Sequence, residues 1–287
     1  MAAITSWFMP ECQHCSKSSR PSLEVAEAII PASRPSQRLP DGSRYAGEWA
    51  GEKAHGQGMH SFPDGGRYIG GFAAWRAEGE GACEFAEGAV YAGSWHGDRA
   101  HGQGTCTHPR LGVYLGQWAS GSQDGEGSMT FKDGTKYQGQ FCKGTMSGSG
   151  KLSFAGEFHS KAGCSYEGQF HEDAFHGHGA FRWPDGRRYD GQWSRSRRHG
   201  HGEFKFPDGR RYTGQYFDDM RHGEGIFMWP DGRVYQGRFL KGRQHGGGIY
   251  RHKDGRQTVG TWAMGRLRSS EDMGSTTCPV PRKVVAV

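Results

Sequence analysis

An all-β fold is predicted, an elongated, single-layer, twisted antiparallel sheet of tandem 23-residue hairpins, and three observations predict it. A tyrosine returns at Tyr45, Tyr68, Tyr91, Tyr114, Tyr137, Tyr166, Tyr189, Tyr212 and Tyr235, every interval being 23 residues except one of 29. Glycine follows each tyrosine two and thirteen places on, as in Gly47 and Gly58 or Gly214 and Gly225. An aromatic residue follows four places on, as in Trp49, Trp95, Trp118, Trp193 and Tyr216. Self-similarity at a fixed period marks a repeat architecture and takes precedence over composition. Composition alone misleads, because 49 Gly and 12 Pro in 287 residues imitate a low-complexity chain. A chain this poor in aliphatic residues builds no thick core and has to be stabilised by stacking neighbours.

Within one repeat, tyrosine, glycine and the aromatic occupy alternate positions and share one face of a strand, while residues such as Gln192 and Gln215 point to the other. After five residues taken as a loop and a frequent His-Gly pair, a second strand again places glycine and aromatics on one face, as in Gly225, Phe227 and Trp229. The small residues leave room for neighbouring rings to lie over bare backbone. The link to the next repeat, Phe62-Pro63-Asp64-Gly65 and its equivalents at Trp183, Phe206 and Trp229, has the chemistry of a type I turn with a bulge. Helix is excluded because recurrent glycine costs about 1 kcal/mol per residue in a helix. About 19 strands are expected, in a sheet roughly 90 Å long that curls into a groove.

The array is assigned to residues 41–262, nine repeats and a terminal half-repeat at Thr258, Gly260 and Trp262. The long interval places an insertion at 155–165, either a tolerated loop or a partner-specific finger. Residues 1–40 form an N-terminal extension in which 22–30 has helical spacing stopped by Pro31, and 263–287 form a C-terminal tail. Either flank is disordered alone or docks on a surface.

These residues resemble the MORN (membrane occupation and recognition nexus) repeat, as in Tyr91-Ala92-Gly93-Ser94-Trp95 followed by His101-Gly102-Gln103-Gly104. The resemblance covers 41–262 and implies the same elongated hairpin sheet. Departures occur where Glu78, Asp124 and Ser147 replace the motif histidine and Arg110-Leu111 replaces Asp-Gly.

Charge is uneven. Residues 41–164 hold 11 Lys plus Arg against 13 Asp plus Glu, and 187–256 hold 16 against 8. Arg187, Arg188, Arg195, Arg197, Arg198, Arg210 and Arg211 are therefore candidates for binding an acidic partner or anionic lipid, or form a solvated edge that keeps the sheet soluble. Seven scattered cysteines suit a reduced, cytoplasmic chain, with Cys83 and Cys106 about 10 Å apart and unbridged. No stretch reaches the ~20 apolar residues of a membrane span.

No metal or cofactor is expected. Motif histidines of successive repeats stand roughly 10 Å apart, too far to share an ion, and are expected instead to order the loop by hydrogen bonding. Cys12-Gln13-His14-Cys15 is half a zinc site without its other half. Carboxylates such as Glu126, Glu203 and Glu224 recur singly, and the flanks are too short for a catalytic domain, so no enzyme is expected. The expected function is a non-catalytic scaffold that offers sheet edges and groove aromatics, Trp95, Trp118, Trp193 and Tyr216, to protein partners in a multi-subunit assembly. The same rings could instead serve only to pack the sheet. The family resemblance extends to stand-alone subunits of ciliary radial spoke heads, which implies an axonemal place. The alternative is a peripheral membrane tether using the arginine-rich half. Self-association through the two open sheet ends is a further expectation, and nucleic-acid binding is not expected for want of a motif.

Overall fold

The computed structural model describes residues 34–155 and 161–273. The expected helix at 22–30, the Cys12–Cys15 pair, most of the tail and half of the insertion lie outside them. The described residues form 21 strands and no helix. The two strands beyond the expected 19 are Gln37–Arg38 at the start and Arg266–Met273, which turns the half-repeat into a full hairpin past 262.

The chain divides into two compact parts, one running to Gly163 with Gln169–Asp173, the other comprising Cys164–Gly168 and the residues from Ala174 on. The first is an antiparallel sheet of the hairpins Arg44–Ala50 with Lys53–Ser61, Arg67–Ala73 with Arg76–Glu84, Val90–His96 with Arg99–His108, Gly112–Ala119 with Ser122–Phe131, and Lys136–Cys142 with Thr145–Ser153. In the second, Ala174–Arg182 leads into Arg188–Ser194 with Arg197–Lys205, Arg211–Phe217 with Met220–Met228, Val234–Leu240 with Arg243–Arg251, and Gln257–Ala263 with Arg266–Met273. Within each part the hairpins join edge to edge in chain order, as Gly58 to Gly70 and Gly225 to Gly237 show.

The Tyr212 hairpin illustrates the rule. Tyr212 pairs with Phe227 and Gly214 with Gly225; then the register shifts, and Tyr216 faces Arg221. His222, Gly223 and Glu224 therefore stand against Gln215 alone, and Gly223 takes φ +56° to make that bulge. At the bulge the Tyr212 hydroxyl donates to the Gln215 carbonyl at 2.9 Å. The Gln215 side chain accepts the Glu224 amide at 3.0 Å. The same glutamine bond recurs at Gln117, Gln140 and Gln192.

The five-residue loop expected between the strands is not there. The strands run on to a two-residue turn, with Phe217 opposite Met220 and both Asp218 and Asp219 at positive φ, 53° and 68°, the backbone of a type I′ turn. Non-glycine residues pay strain in that region, and the preceding repeat offsets it. The Asp219 amide donates to the Arg198 carbonyl at 3.1 Å, and its carboxylate accepts the Arg198 amide at 3.0 Å. Asp98 makes the same reciprocal pair with Ala77, and Asp173 with Met146. The Pro-Asp-Gly links form as expected: the Gly65 amide donates to the Phe62 carbonyl, the Phe62 amide to the Gly66 carbonyl, and Gly65 has φ +95°.

Within each part the core is a file of rings. Each recurring tyrosine except Tyr68 is fully buried or within 1% of it. A Cβ built on Gly225 would stand 2.5 Å from the Tyr212 hydroxyl, and one on Gly214 2.5 Å from the Gly225 Cα, so the ring lies directly on paired glycine backbone as the sequence implies. Tyr212 then meets Tyr216 and Phe239 edge-on at 5.2 and 5.0 Å, and Tyr91 meets Trp95 and Trp118 at 5.1 Å each. Tyr45, Tyr114, Tyr137, Tyr189 and Tyr235 likewise meet the aromatic of their own repeat and that of the next edge-on, a geometry worth ~0.5–1.5 kcal/mol per pair beyond burial.

Candidate protein-binding face

The four aromatics singled out from the sequence all lie on the ring-bearing face and are packed by the chain itself. Trp118 and Trp193 retain 2% and 6% of their exposure. Their indole Nε1–H groups donate to the Gly104 and Gly179 carbonyls of the preceding repeat at 3.1 and 2.9 Å. Trp95 does the same to Gly81. Tyr216 lies buried between Tyr189 and Tyr212. Trp49 belongs to the first hairpin, has no such carbonyl, and its buried Nε1 lacks a partner; the Arg34 guanidinium stacks on its ring.

The surface that remains open on this face in the second part is a line of half-buried rings at the Pro-Asp-Gly links. Trp183, Phe206 and Trp229 are intermediate in burial and connect through Phe204 and Phe227 at 4.5–6.3 Å. Arg187, Arg210 and Arg233 stack over them at 5.3, 4.8 and 5.3 Å. The opposite face carries a separate apolar spot, where Phe217 is 55% exposed with His199 and His222 against its ring and Met220 opposite it in register.

Six of the seven singled-out arginines have a carboxylate in the chain. Arg187 and Arg210 pair with Asp185 and Asp208 of their own turns, Arg188 with Asp190, Arg211 with Glu203, Arg197 with Asp218 and Arg198 with Asp219.

Sequence reasoning missed where two arginines enter the ring-bearing face. Nine places after each tyrosine the first three repeats have Ala54, Ala77 and Ala100, all buried. The Tyr189 and Tyr212 repeats have Arg198 and Arg221 there. Arg198 lies over Tyr189, Phe204 and Tyr216 at 5.4–5.8 Å. Arg221 lies over Tyr212, Phe227 and Phe239 at 5.2–5.6 Å. Aligning the repeats by offset would have exposed this substitution; a count of charge per segment does not.

Among the described residues no group of three or more His, Cys, Asp or Glu could hold a metal ion. Cys83 and Cys106 are buried, and burial pushes the Cys106 thiol up to about 12. Burial also pushes the Tyr45, Tyr216 and Tyr235 hydroxyls up to about 12. A tyrosine in an unfolded chain ionises near ~10, so the fold prefers the neutral phenol. That contribution to stability is complete below about pH 10 and is lost as pH rises towards 12. Phenolate absorbance is expected to appear together with loss of the sheet signal in circular dichroism. Ionisation near pH 10 with the sheet intact would refute the burial argument.

The MORN repeat family model matches residues 45–67, 91–110, 114–136, 137–157, 166–187, 189–210, 212–232 and 235–255. The chain belongs to the MORN repeat family. The Tyr68 repeat, where Glu78 replaces the motif histidine, falls outside those spans yet folds as the same hairpin. No relative among curated proteins matches the chain. Similar solved structures include the TCP10 domain of Danio rerio CPAP, 12% identical over 83% of this chain and 99% of that one with a TM-score of 0.28. The same domain in complex with a peptide of Danio rerio STIL is 17% identical over 83% and 98%, with a TM-score of 0.27. Scores this low carry no argument about function.

Proposed function

We propose that this MORN repeat protein is a non-catalytic scaffold that binds protein partners through the ring-bearing face of its hairpins within a larger assembly, in the ciliary axoneme. The observation that carries the binding surface is the line of half-buried rings Trp183, Phe206 and Trp229, which stay partly open beside Arg187, Arg210 and Arg233 while Trp193 and Tyr216 are buried. Contiguous exposed aromatic surface on a rigid framework is what protein interfaces use. The axonemal place rests on the family resemblance to radial spoke head subunits.

A peripheral membrane tether is the competing reading. Arginines already engaged by Asp185, Asp190, Glu203 and Asp208 have less positive potential to offer anionic headgroups, which puts the protein reading first. Affinity purification of the full chain from its native cells is expected to recover defined protein partners, axonemal ones among them. Recovery of the chain alone would defeat the proposal, as would flotation on phosphoinositide vesicles that is abolished by charge reversal at Arg187, Arg188, Arg210 and Arg211.

A further inference from the structure

Arg221 differs from Arg198, its equivalent one repeat earlier, in one respect that the repeat itself explains. Arg198 is neutralised by Asp219, which the following turn supplies, with Nε at 3.2 Å from Oδ1 and 24% of its side chain exposed. The place corresponding to Asp219 in the next repeat is Gly242. The Gly242 amide donates to the Arg221 carbonyl at 2.9 Å, as the Asp219 amide does for Arg198, but no carboxylate comes with it. Among the described residues no acid makes an ion pair with Arg221. Its charged neighbours are Arg198 and Arg210, both cationic, and burial draws its own pKa down from the usual guanidinium value. Intermediate burial leaves the guanidinium reachable from solvent. Tyr212, Phe227 and Phe239 hold it from below.

A half-buried, unpaired guanidinium fixed on an aromatic platform is prepared for a carboxylate, which it can bind through two parallel N–H···O bonds. We infer that Arg221 is a carboxylate socket for an acidic, polyproline II segment of a partner protein lying across the hairpins. The inference rests on the protein-binding reading above. The conformation follows from spacing. Equivalent residues of successive repeats are two strands apart, roughly 9.6 Å. A polyproline II chain repeats each face every three residues, about 9.3 Å. A β-strand repeats a face at about 6.6 Å, and seven residues of α-helix cover about 10.5 Å, so both fall out of step sooner. The half-buried rings Trp183, Phe206 and Trp229 have the same two-strand period and suit the prolines between the acids, as aromatic-lined grooves do for other polyproline II ligands.

The test measures anisotropy of a short fluorescein-labelled peptide of repeated Pro-Pro-Glu on the full-length chain, with repeated Pro-Pro-Gln as control. Two variants close or remove the socket. Arg221→Gln removes the charge. Gly242→Asp keeps Arg221 and supplies the acid that Arg198 already has. A side chain at 242 meets nothing within 4 Å, and Asp98, Asp173 and Asp219 occupy the same repeat position at φ 63–69° where Gly242 has 79°, so this variant should fold. The glutamate peptide should bind the wild-type chain, and each variant should weaken it at least about tenfold, the loss of a charge-assisted bidentate pair. Equal binding of the glutamine peptide, unchanged affinity in both variants, or tighter binding of a helical peptide with glutamate at every seventh place would overturn the inference. So would Arg221-dependent binding of phosphoinositide vesicles in place of the peptide. If wild-type chain fails to bind the peptide yet recovers a protein partner on purification, the socket fails and the scaffold reading stands; if it recovers none, the scaffold reading itself falls.

Discussion

Gly225→Ala is expected to destabilise the second part of the array by ~1–3 kcal/mol or more, the range for forcing atoms into a packed core. The added methyl would stand 2.5 Å from the Tyr212 hydroxyl and 2.7 Å from two of its ring carbons. Tyr212 cannot retreat, because Tyr216 and Phe239 hold it edge-on from both sides and its hydroxyl is tied to the Gln215 carbonyl. The control is Gly232→Ala in the turn that follows. Gly232 has φ +90°, but a methyl there meets nothing within 4 Å, so only the dihedral cost of roughly 1–2 kcal/mol applies. Urea unfolding followed by tryptophan fluorescence separates the two. Gly225 itself has no positive φ, so a loss no larger than that of the control would mean that a ring resting on bare backbone does not explain the glycine thirteen places after each tyrosine.

Tyr212→Ala should cost more, ~3–5 kcal/mol, as for other large aromatic deletions from a core. It opens a cavity over the Gly214–Gly225 pair and releases two ring contacts at once. Tyr212→Phe keeps the ring and removes only the hydroxyl. The Gln215 carbonyl is then left without its donor at the bulge, for an expected ~1–3 kcal/mol. The ordering of Ala, then Phe, then wild type in urea midpoints is the result to look for. A phenylalanine variant as stable as wild type would remove the reason for tyrosine at this place in every repeat.

The hairpin period, the Pro-Asp-Gly links and the rings over glycine were legible because each depends on residues within one repeat. The two-residue turns were not. Ala74-Trp75 and Arg195-Ser196 take positive φ, 48–74°, without the Asn-Gly signature of such turns, since the strain is offset one repeat away, where the Trp75 amide meets the Ala54 carbonyl and the Ser196 amide meets that of Phe175. Single-sequence turn chemistry does not register a bond made to the previous repeat. The arginines show the same limit. Charge counting found the basic half, but whether a guanidinium sits at a rim, as Arg210 does, or on the platform, as Arg221 does, depends on its offset from the tyrosine. The four chosen aromatics lie on the ring-bearing face but are covered by their neighbours, whereas the ring seventeen places after the tyrosine, Phe206 or Trp229, stays half open.

The bond from each turn amide to a carbonyl of the repeat before it, as at Trp75, Gly121, Asp219 and Gly265, gives the array a polarity. Each repeat's turn braces its predecessor and is braced by its successor, so the two termini of a run are unequal. Removing a repeat at the trailing end takes the turn donor from a strand carbonyl of the hairpin before it. Removing one at the leading end instead takes from the next turn the carbonyl that offsets its left-handed backbone. One bond is lost either way, but in the second case the loss falls on a strained turn.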